Sequence, residues 1–248
     1  MDDHFSQKPL LIILPGWGGT RETWAEFVLL SEVYYEVVVI ELPCFGNEPC
    51  PSQVWGVEEY ADFVKLKIVD LTSNLQKIQK VIILGHSFGG QVAACLVSTN
   101  PTICDKLILS GPAIFRRRSS LKQIIVWPIA KLGKLVMEFP GLRQYGTPIK
   151  KIFYRLLDSP DYLETSGIKR AIFKKITKQN VVHYVSRITI PTLVVAGKQD
   201  TFVSYRLSKR VANILPQGNF ALIENGGHGL HQNNKDQMLT IIQRFIKQ

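Results

Sequence analysis

The sequence lacks any long apolar run. Its first one, Leu10 to Leu14, holds five residues, against the roughly 20 that a membrane span requires. The opening residues, Met1-Asp2-Asp3-His4, carry acid where a secretory leader carries base, so a cytoplasmic protein is expected. Cysteine is scarce and unpatterned. Cys44, Cys50, Cys95 and Cys104 make no C-x-x-C pair and no zinc-like spacing with histidine, so no metal site is expected and all four read as reduced thiols, partly core. There is no internal repeat and no low-complexity tract. Acid is depleted in one place: 15 of the 30 Lys and Arg, but 4 of the 20 Asp and Glu, fall between Pro112 and His183, so this segment carries the whole positive excess. Arg116-Arg117-Arg118 and Lys174-Lys175 could meet an anionic surface. No nucleic-acid-binding motif accompanies them, so no nucleic-acid partner is expected. A solvated helical face is the preferred reading, with contact at a membrane surface as the alternative.

Six short aliphatic or β-branched runs are present: Leu10 to Leu14, Glu36 to Ile40, Val81 to Leu84, Lys106 to Leu109, Thr192 to Ala196 and Asn219 to Ile223. Most are continuously apolar rather than alternating, which is the mark of strands covered on both faces. Helix-compatible stretches lie between them, at Glu22 to Ser31, Val57 to Ile78, Gln91 to Asn100, Ser204 to Leu215 and Lys235 to Lys247. Strand alternating with helix predicts an α/β fold with a doubly wound, mostly parallel sheet of about six strands. One connection is out of scale, since Ser110 to Pro191 spans 82 residues. Pro128, Pro140-Gly141, Gly146-Thr147-Pro148 and Pro160 divide it into three or four helical pieces, of which Leu121 to Phe139 is conspicuously apolar. Long structureless excursions are rare in compact domains. A helical cap over 112–183 is therefore expected, inserted between the fourth and fifth strands of a core formed by 1–111 and 184–248.

The third run leads into Gly85-His86-Ser87-Phe88-Gly89-Gly90 and then into Gln91-Val92-Ala93-Ala94-Cys95-Leu96-Val97, a strand, a tight corner and a helix with serine at the apex. A G-x-S-x-G corner needs small residues on either side of the serine, where strand and helix pass closely, and it presents the hydroxyl outward on a strained backbone. Ser87 is the candidate nucleophile. A serine hydroxyl needs a base to take its proton and a carboxylate to orient that base. His228, in Asn225-Gly226-Gly227-His228-Gly229 after the last run, is the chosen base, and His231 is the fallback. His4 lies at a terminus, His86 is the variable position inside the corner, and His183 falls in the expected cap. Asp200, at the end of Ala196-Gly197-Lys198-Gln199-Asp200, is the chosen carboxylate, because parallel sheets gather their sites at the carboxyl ends of strands. Its competing reading is a turn or helix cap. Glu224, four residues before His228, is the weaker acid.

A tetrahedral intermediate also requires two N–H donors. Phe88, which opens the helix after the nucleophile, is one candidate. Trp17, in Leu14-Pro15-Gly16-Trp17-Gly18-Gly19, is the other, although a glycine-rich turn can be only a turn. That loop lacks the lysine of a P-loop and the acid that follows a G-x-G-x-x-G, so nucleotide binding is not expected.

With these residues in view, the chain resembles the α/β-hydrolase family over essentially its whole length. The order Ser87, Asp200, His228 is that family's serine, acid, histidine order, and Glu41-Leu42-Pro43-Cys44-Phe45-Gly46 is similar to its Asp-x-Pro-Gly-x-Gly turn. Two departures stand out: Pro15 replaces the histidine of a His-Gly pair, and Cys44 replaces a glycine, a change read as cosmetic. Set against the family, the usual first two strands are expected to be missing, which implies a shortened, six-stranded sheet. Within the family the chain looks most like small capped esterases, carbon–carbon bond hydrolases and acyl-homoserine lactonases. The resemblance implies acyl transfer to water through an acyl-enzyme on Ser87, acting on a small-molecule ester or lactone of small to medium acyl chain, with no metal or organic cofactor. It also implies an apolar acyl pocket, for which Trp17, Phe115, Trp127 and Phe139 are the candidates, the competing reading being that most aromatics of the cap form its own core. Two readings from other classes remain: a catalytically inactive ligand binder and a membrane-surface module.

Overall fold

Every residue of the strand β1 (Leu10–Leu14) is at most 2% exposed, which is why an unbroken aliphatic run belongs there. It pairs in parallel with β2 (Glu36–Val39) on one side and β3 (Val81–His86) on the other. The sheet continues in parallel through β4 (Lys106–Ser110), β5 (Thr192–Gly197) and β6 (Gly218–Ile223), in the order β2-β1-β3-β4-β5-β6. The structure, a computed structural model, describes residues 8–73, 80–115 and 167–248. Among these, the helices are α1 (Arg21–Ser31), α2 (Val57–Ser73), α3 (Phe88–Thr99), α4 (Gly167–Ile176), α5 (Val182–Val185), α6 (Tyr205–Ile214), α7 (Leu230–Asn233) and α8 (Lys235–Ile246). The doubly wound α/β fold expected from the sequence is the one observed.

One face of the sheet buries Leu11, Ile13, Ile82, Leu84, Ile108, Leu193 and Val195 against Trp24 and Phe27 of α1 and against Met238, Leu239, Ile242 and Phe245 of α8. Each such side chain contributes roughly 1.5–3 kcal/mol by leaving water. Helix α3 packs on β1, β3 and β4, and α2 packs on α3. The strands β3 and β4 run past their apolar stretches, because pairing continues through Gly85 with Leu109 and His86 with Ser110. That extension brings polar residues to the carboxyl edge of the sheet.

The chain divides into two compact units, one of Met1–Pro51, Trp55–Phe115 and Gln179–Gln248, the other of Ser52–Val54 and Arg116–Lys178. The larger unit takes in Pro112 to Phe115 and Gln179 to His183. Most of the expected cap, including Trp127 and Phe139, lies outside the described residues. In the smaller unit, α4 buries Ile172 and Ile176, and Lys175 Nζ donates to the Val54 carbonyl at 3.1 Å. Among the described residues no helix is long and apolar enough to cross a membrane.

The cysteines require a correction. Cys95 and Cys104 are free and buried, as expected, but Cys44 and Cys50 form a disulfide. Cys44 adopts φ 80°, a left-handed conformation that side chains rarely take. That conformation gives a physical reason for the glycine usual at this position in the family, so the replacement of glycine by cysteine is not cosmetic here.

Candidate active site

The corner between β3 and α3 is as tight as its glycines imply. A Cβ on Gly85 would lie 2.6 Å from the Gly89 carbonyl oxygen, and one on Gly89 would lie 2.1 Å from the Leu14 carbonyl oxygen. Ser87 sits between them at φ 51°, ψ −111°, in the strained geometry of a nucleophile turn. Three backbone hydrogen bonds hold it there. The Ser87 N–H donates to the Ser110 carbonyl at 3.0 Å, while the Ser87 carbonyl accepts from Gly90 at 3.1 Å and Ala113 at 3.2 Å.

Asp200 and His228 meet directly. His228 Nδ1 donates to Asp200 Oδ2 at 2.7 Å, with the Asp200 side chain 1% exposed and the His228 side chain 19%. Asp200 Oδ1 accepts from the Phe202 and Val203 N–H groups, each at 2.8 Å. The Asp200 carboxylate thus bonds its own turn through one oxygen and His228 through the other. Glu224 is engaged elsewhere, at 2.5 Å from Lys198 Nζ on the surface.

The end of β4 links the pair to the serine. Ser110 accepts from Ser87, and the next residue, Gly111, has φ 50° and lies directly under the Asp200–His228 pair. A Cβ on Gly111 would stand 3.2 Å from Asp200 Oδ2 and 3.4 Å from His228 Nδ1. No hydrogen bond joins Ser87 Oγ to His228 among the described residues.

Sequence reasoning missed the histidine cluster around the pair. The His86 ring centroid lies 4.6 Å from that of His228 and 5.1 Å from that of His231, and the His231 ring stacks on Trp24 at 3.8 Å. Burial pushes His231 down to about 4, with the nearby His228 adding to the shift. Burial also holds His86 well below the usual imidazole range, helped by His228 and His231 and opposed by its hydrogen bond to the Ser110 carbonyl. Both rings are therefore neutral at neutral pH. His231, the fallback base, is buried, and its Nδ1 has no hydrogen-bond partner among the described residues, whereas His228 is half-buried. His183 is exposed.

The loop after β1 approaches the serine closely, for a Cβ on Gly16 would lie 3.2 Å from Ser87 Cβ. The half-buried Trp17 ring packs edge-on against Phe45 at 4.8 Å and Phe88 at 5.8 Å. Phe88 is the first residue of α3, where no intrahelical carbonyl is in register to accept its N–H. Phe115 lies under the Arg210 guanidinium, 4.7 Å from its ring centroid. No group of three or more His, Cys, Asp or Glu suited to a metal ion occurs among the described residues.

A family model described as serine aminopeptidase, S33, matches residues 6–236. The chain belongs to the α/β-hydrolase family. This α/β hydrolase is 26% identical over 235 residues to a putative carbamate hydrolase RutD of Pseudomonas syringae, covering 90% of this chain and 88% of that one. It is 22% identical over 263 residues to a pimeloyl-[acyl-carrier protein] methyl ester esterase of Aeromonas hydrophila, covering 98% of each. Its fold matches an esterase from Exiguobacterium antarcticum at a TM-score of 0.72 and 18% identity, covering 98% of this chain and 93% of that one.

Proposed function

We propose that this hydrolase cleaves carboxylic esters or lactones of small to medium acyl chain through an acyl-enzyme on Ser87. Ser87 Oγ attacks the carbonyl carbon as its proton passes to His228 Nε2, the ring nitrogen left over once Nδ1–H is bonded to Asp200. Asp200 orients the ring and stabilises its cationic form. The N–H groups of Trp17 and Phe88 receive the oxyanion, the latter aided by the positive end of the α3 dipole. Collapse of the tetrahedral intermediate expels the alcohol, which takes the proton from His228. Water, deprotonated by His228, then releases the acid, so that ester and water become alcohol and acid, and a lactone becomes a hydroxy acid.

The observation that carries this reading is the buried hydrogen bond between Asp200 and His228, on the strand edge that also carries Ser87 in its strained turn. The ester hydrolases among the relatives support the substrate class. A fluorophosphonate probe is expected to label the wild type and not Ser87→Ala. The same variant should lose on the order of 10⁴-fold or more in kcat on nitrophenyl esters of graded length. Acyl-homoserine lactones and a carbon–carbon cleavage substrate in the same panel separate the alternatives. A rate preserved in Ser87→Ala would end the proposal.

A further inference from the structure

The disulfide lies in the loop that supports both candidate oxyanion donors. The buried Glu41 carboxylate fixes the base of this loop, accepting from the Arg21 N–H on Oε1 and the Asn47 N–H on Oε2, each at 2.9 Å. Within the loop the Cys44 N–H donates to the Glu48 carbonyl at 3.1 Å, and the Glu48 N–H donates to the Phe45 carbonyl at 3.0 Å. Phe45, 4% exposed, carries the Trp17 ring. Phe88 is held from the other side by Tyr60, at 5.1 Å between ring centroids, and the Tyr60 hydroxyl donates back to the Pro43 carbonyl at 3.1 Å. Trp17, Phe45, Phe88, Tyr60 and Pro43 thus form a closed circuit. The bond from Cys44 to Cys50 ties the loop that carries Phe45 back on itself.

We propose that Cys44–Cys50 is a thiol-reducible clamp on the oxyanion site, through which the redox state of the surroundings sets the turnover of the enzyme. The proposal rests on the reading of Trp17 and Phe88 as oxyanion donors. Cys50 is exposed and Cys44 half-buried, so the reagent is a small dithiol whose thiolate attacks the Cys50 sulfur. The Cys44 thiolate leaves and takes up a proton. The second thiol of the reagent then displaces Cys50, giving two cysteine thiols and one oxidised, cyclic reagent. Once the bond is broken, only the loop's hydrogen bonds oppose relaxation of Cys44 from a left-handed conformation that side chains disfavour, and Phe45 is freed to shift against Trp17. Cys44 and Cys50 act as positioning residues, through Phe45. In an oxidising compartment the clamp stays shut, and in a thiol-rich one it opens.

The test uses the full oxidised chain, treated with dithiothreitol under native conditions. Native thiol labelling should rise by the two clamp cysteines, because Cys95 and Cys104 are 3% and 5% exposed. Amide exchange should quicken across 43–50 and 16–19, and kcat on a nitrophenyl ester should fall roughly five- to fiftyfold, part of the value of one oxyanion donor. KM should change less, and reoxidation should restore the rate. Cys44→Gly/Cys50→Ser, which fits the backbone without the bond, should show no response to the reagent. Failure of the reagent to release thiols, released thiols with unchanged exchange and kcat, or a persistent response in the double variant would each overturn the clamp. If turnover and Ser87 labelling are absent in both redox states, the hydrolase reading alone fails, and amide exchange still decides the clamp.

Discussion

A methyl group added to Gly111 would stand 3.2 Å from Asp200 Oδ2, so the end of β4 is packed directly beneath the carboxylate that holds His228. Gly111→Ala combines that intrusion with a φ of 50° that alanine resists. The backbone conformation alone should cost about 1–2 kcal/mol of stability. Displacement of the imidazole should lower kcat by roughly 10²-fold. Urea midpoints and ester kinetics on the same preparation check both effects, and an alanine variant equal to wild type in each would contradict the placement of β4.

The two oxygens of Asp200 serve different partners, so substitution can separate its proposed part in catalysis from its part in the turn. Asp200→Asn keeps an acceptor for the Phe202 and Val203 N–H groups but turns an amide donor toward His228, stabilising the wrong tautomer. Its kcat should fall about 10⁴-fold with stability nearly unchanged. Asp200→Ala should lose similar activity and, in addition, about 1–3 kcal/mol, because the two turn N–H groups lose their acceptor. Equal thermal midpoints for the two variants would argue against the capping role.

His231 should make the fold sensitive to acid. Its folded-state value of about 4 lies below the ordinary 6.5, so the unfolded chain binds more protons between those limits. Stability is then lost as pH falls from 6.5 toward 4, by about 2 kcal/mol at pH 5. His231→Phe retains a ring to stack on Trp24 and removes the titration. The difference in urea midpoint between pH 7 and pH 5 should shrink accordingly. It should not vanish, because His86 is buried beside His228 and His231 and moves in the same direction. An unchanged difference would show that His231 does not titrate in this window.

The strands were legible because a sheet covered on both faces demands uninterrupted apolar runs, and Leu10 to Leu14 offers nothing else. Their polar ends were not. His86 reads as a variable position within a motif, yet the alternation Ile82, Leu84, His86 continues the face on which Ile82 and Leu84 meet Trp24, and period-two counting past the apolar run would have found it. The pairing of Asp200 with His228 was foreshadowed by strand ends alone, whereas the division of labour between the carboxylate oxygens depends on backbone geometry that no spacing encodes. The Cys44–Cys50 bond was invisible for a similar reason: five intervening residues match no motif, and the sulfurs meet in a loop with left-handed residues at Cys44 and Gly46 that spacing does not reveal.

Strands β4 and β5 are hydrogen-bonded neighbours, Leu107 facing Thr192, although the longest connection in the chain runs between them. The entropy of closing a loop grows only with the logarithm of its length, about 0.6 kcal/mol for each doubling. A change in the length of that connection therefore alters the cost of closing it very little. The fold leaves one address at which a lineage can gain or lose residues at small entropic cost, so long as the buried Ile114 before it and Val181, Val185 and Ile188 after it are kept.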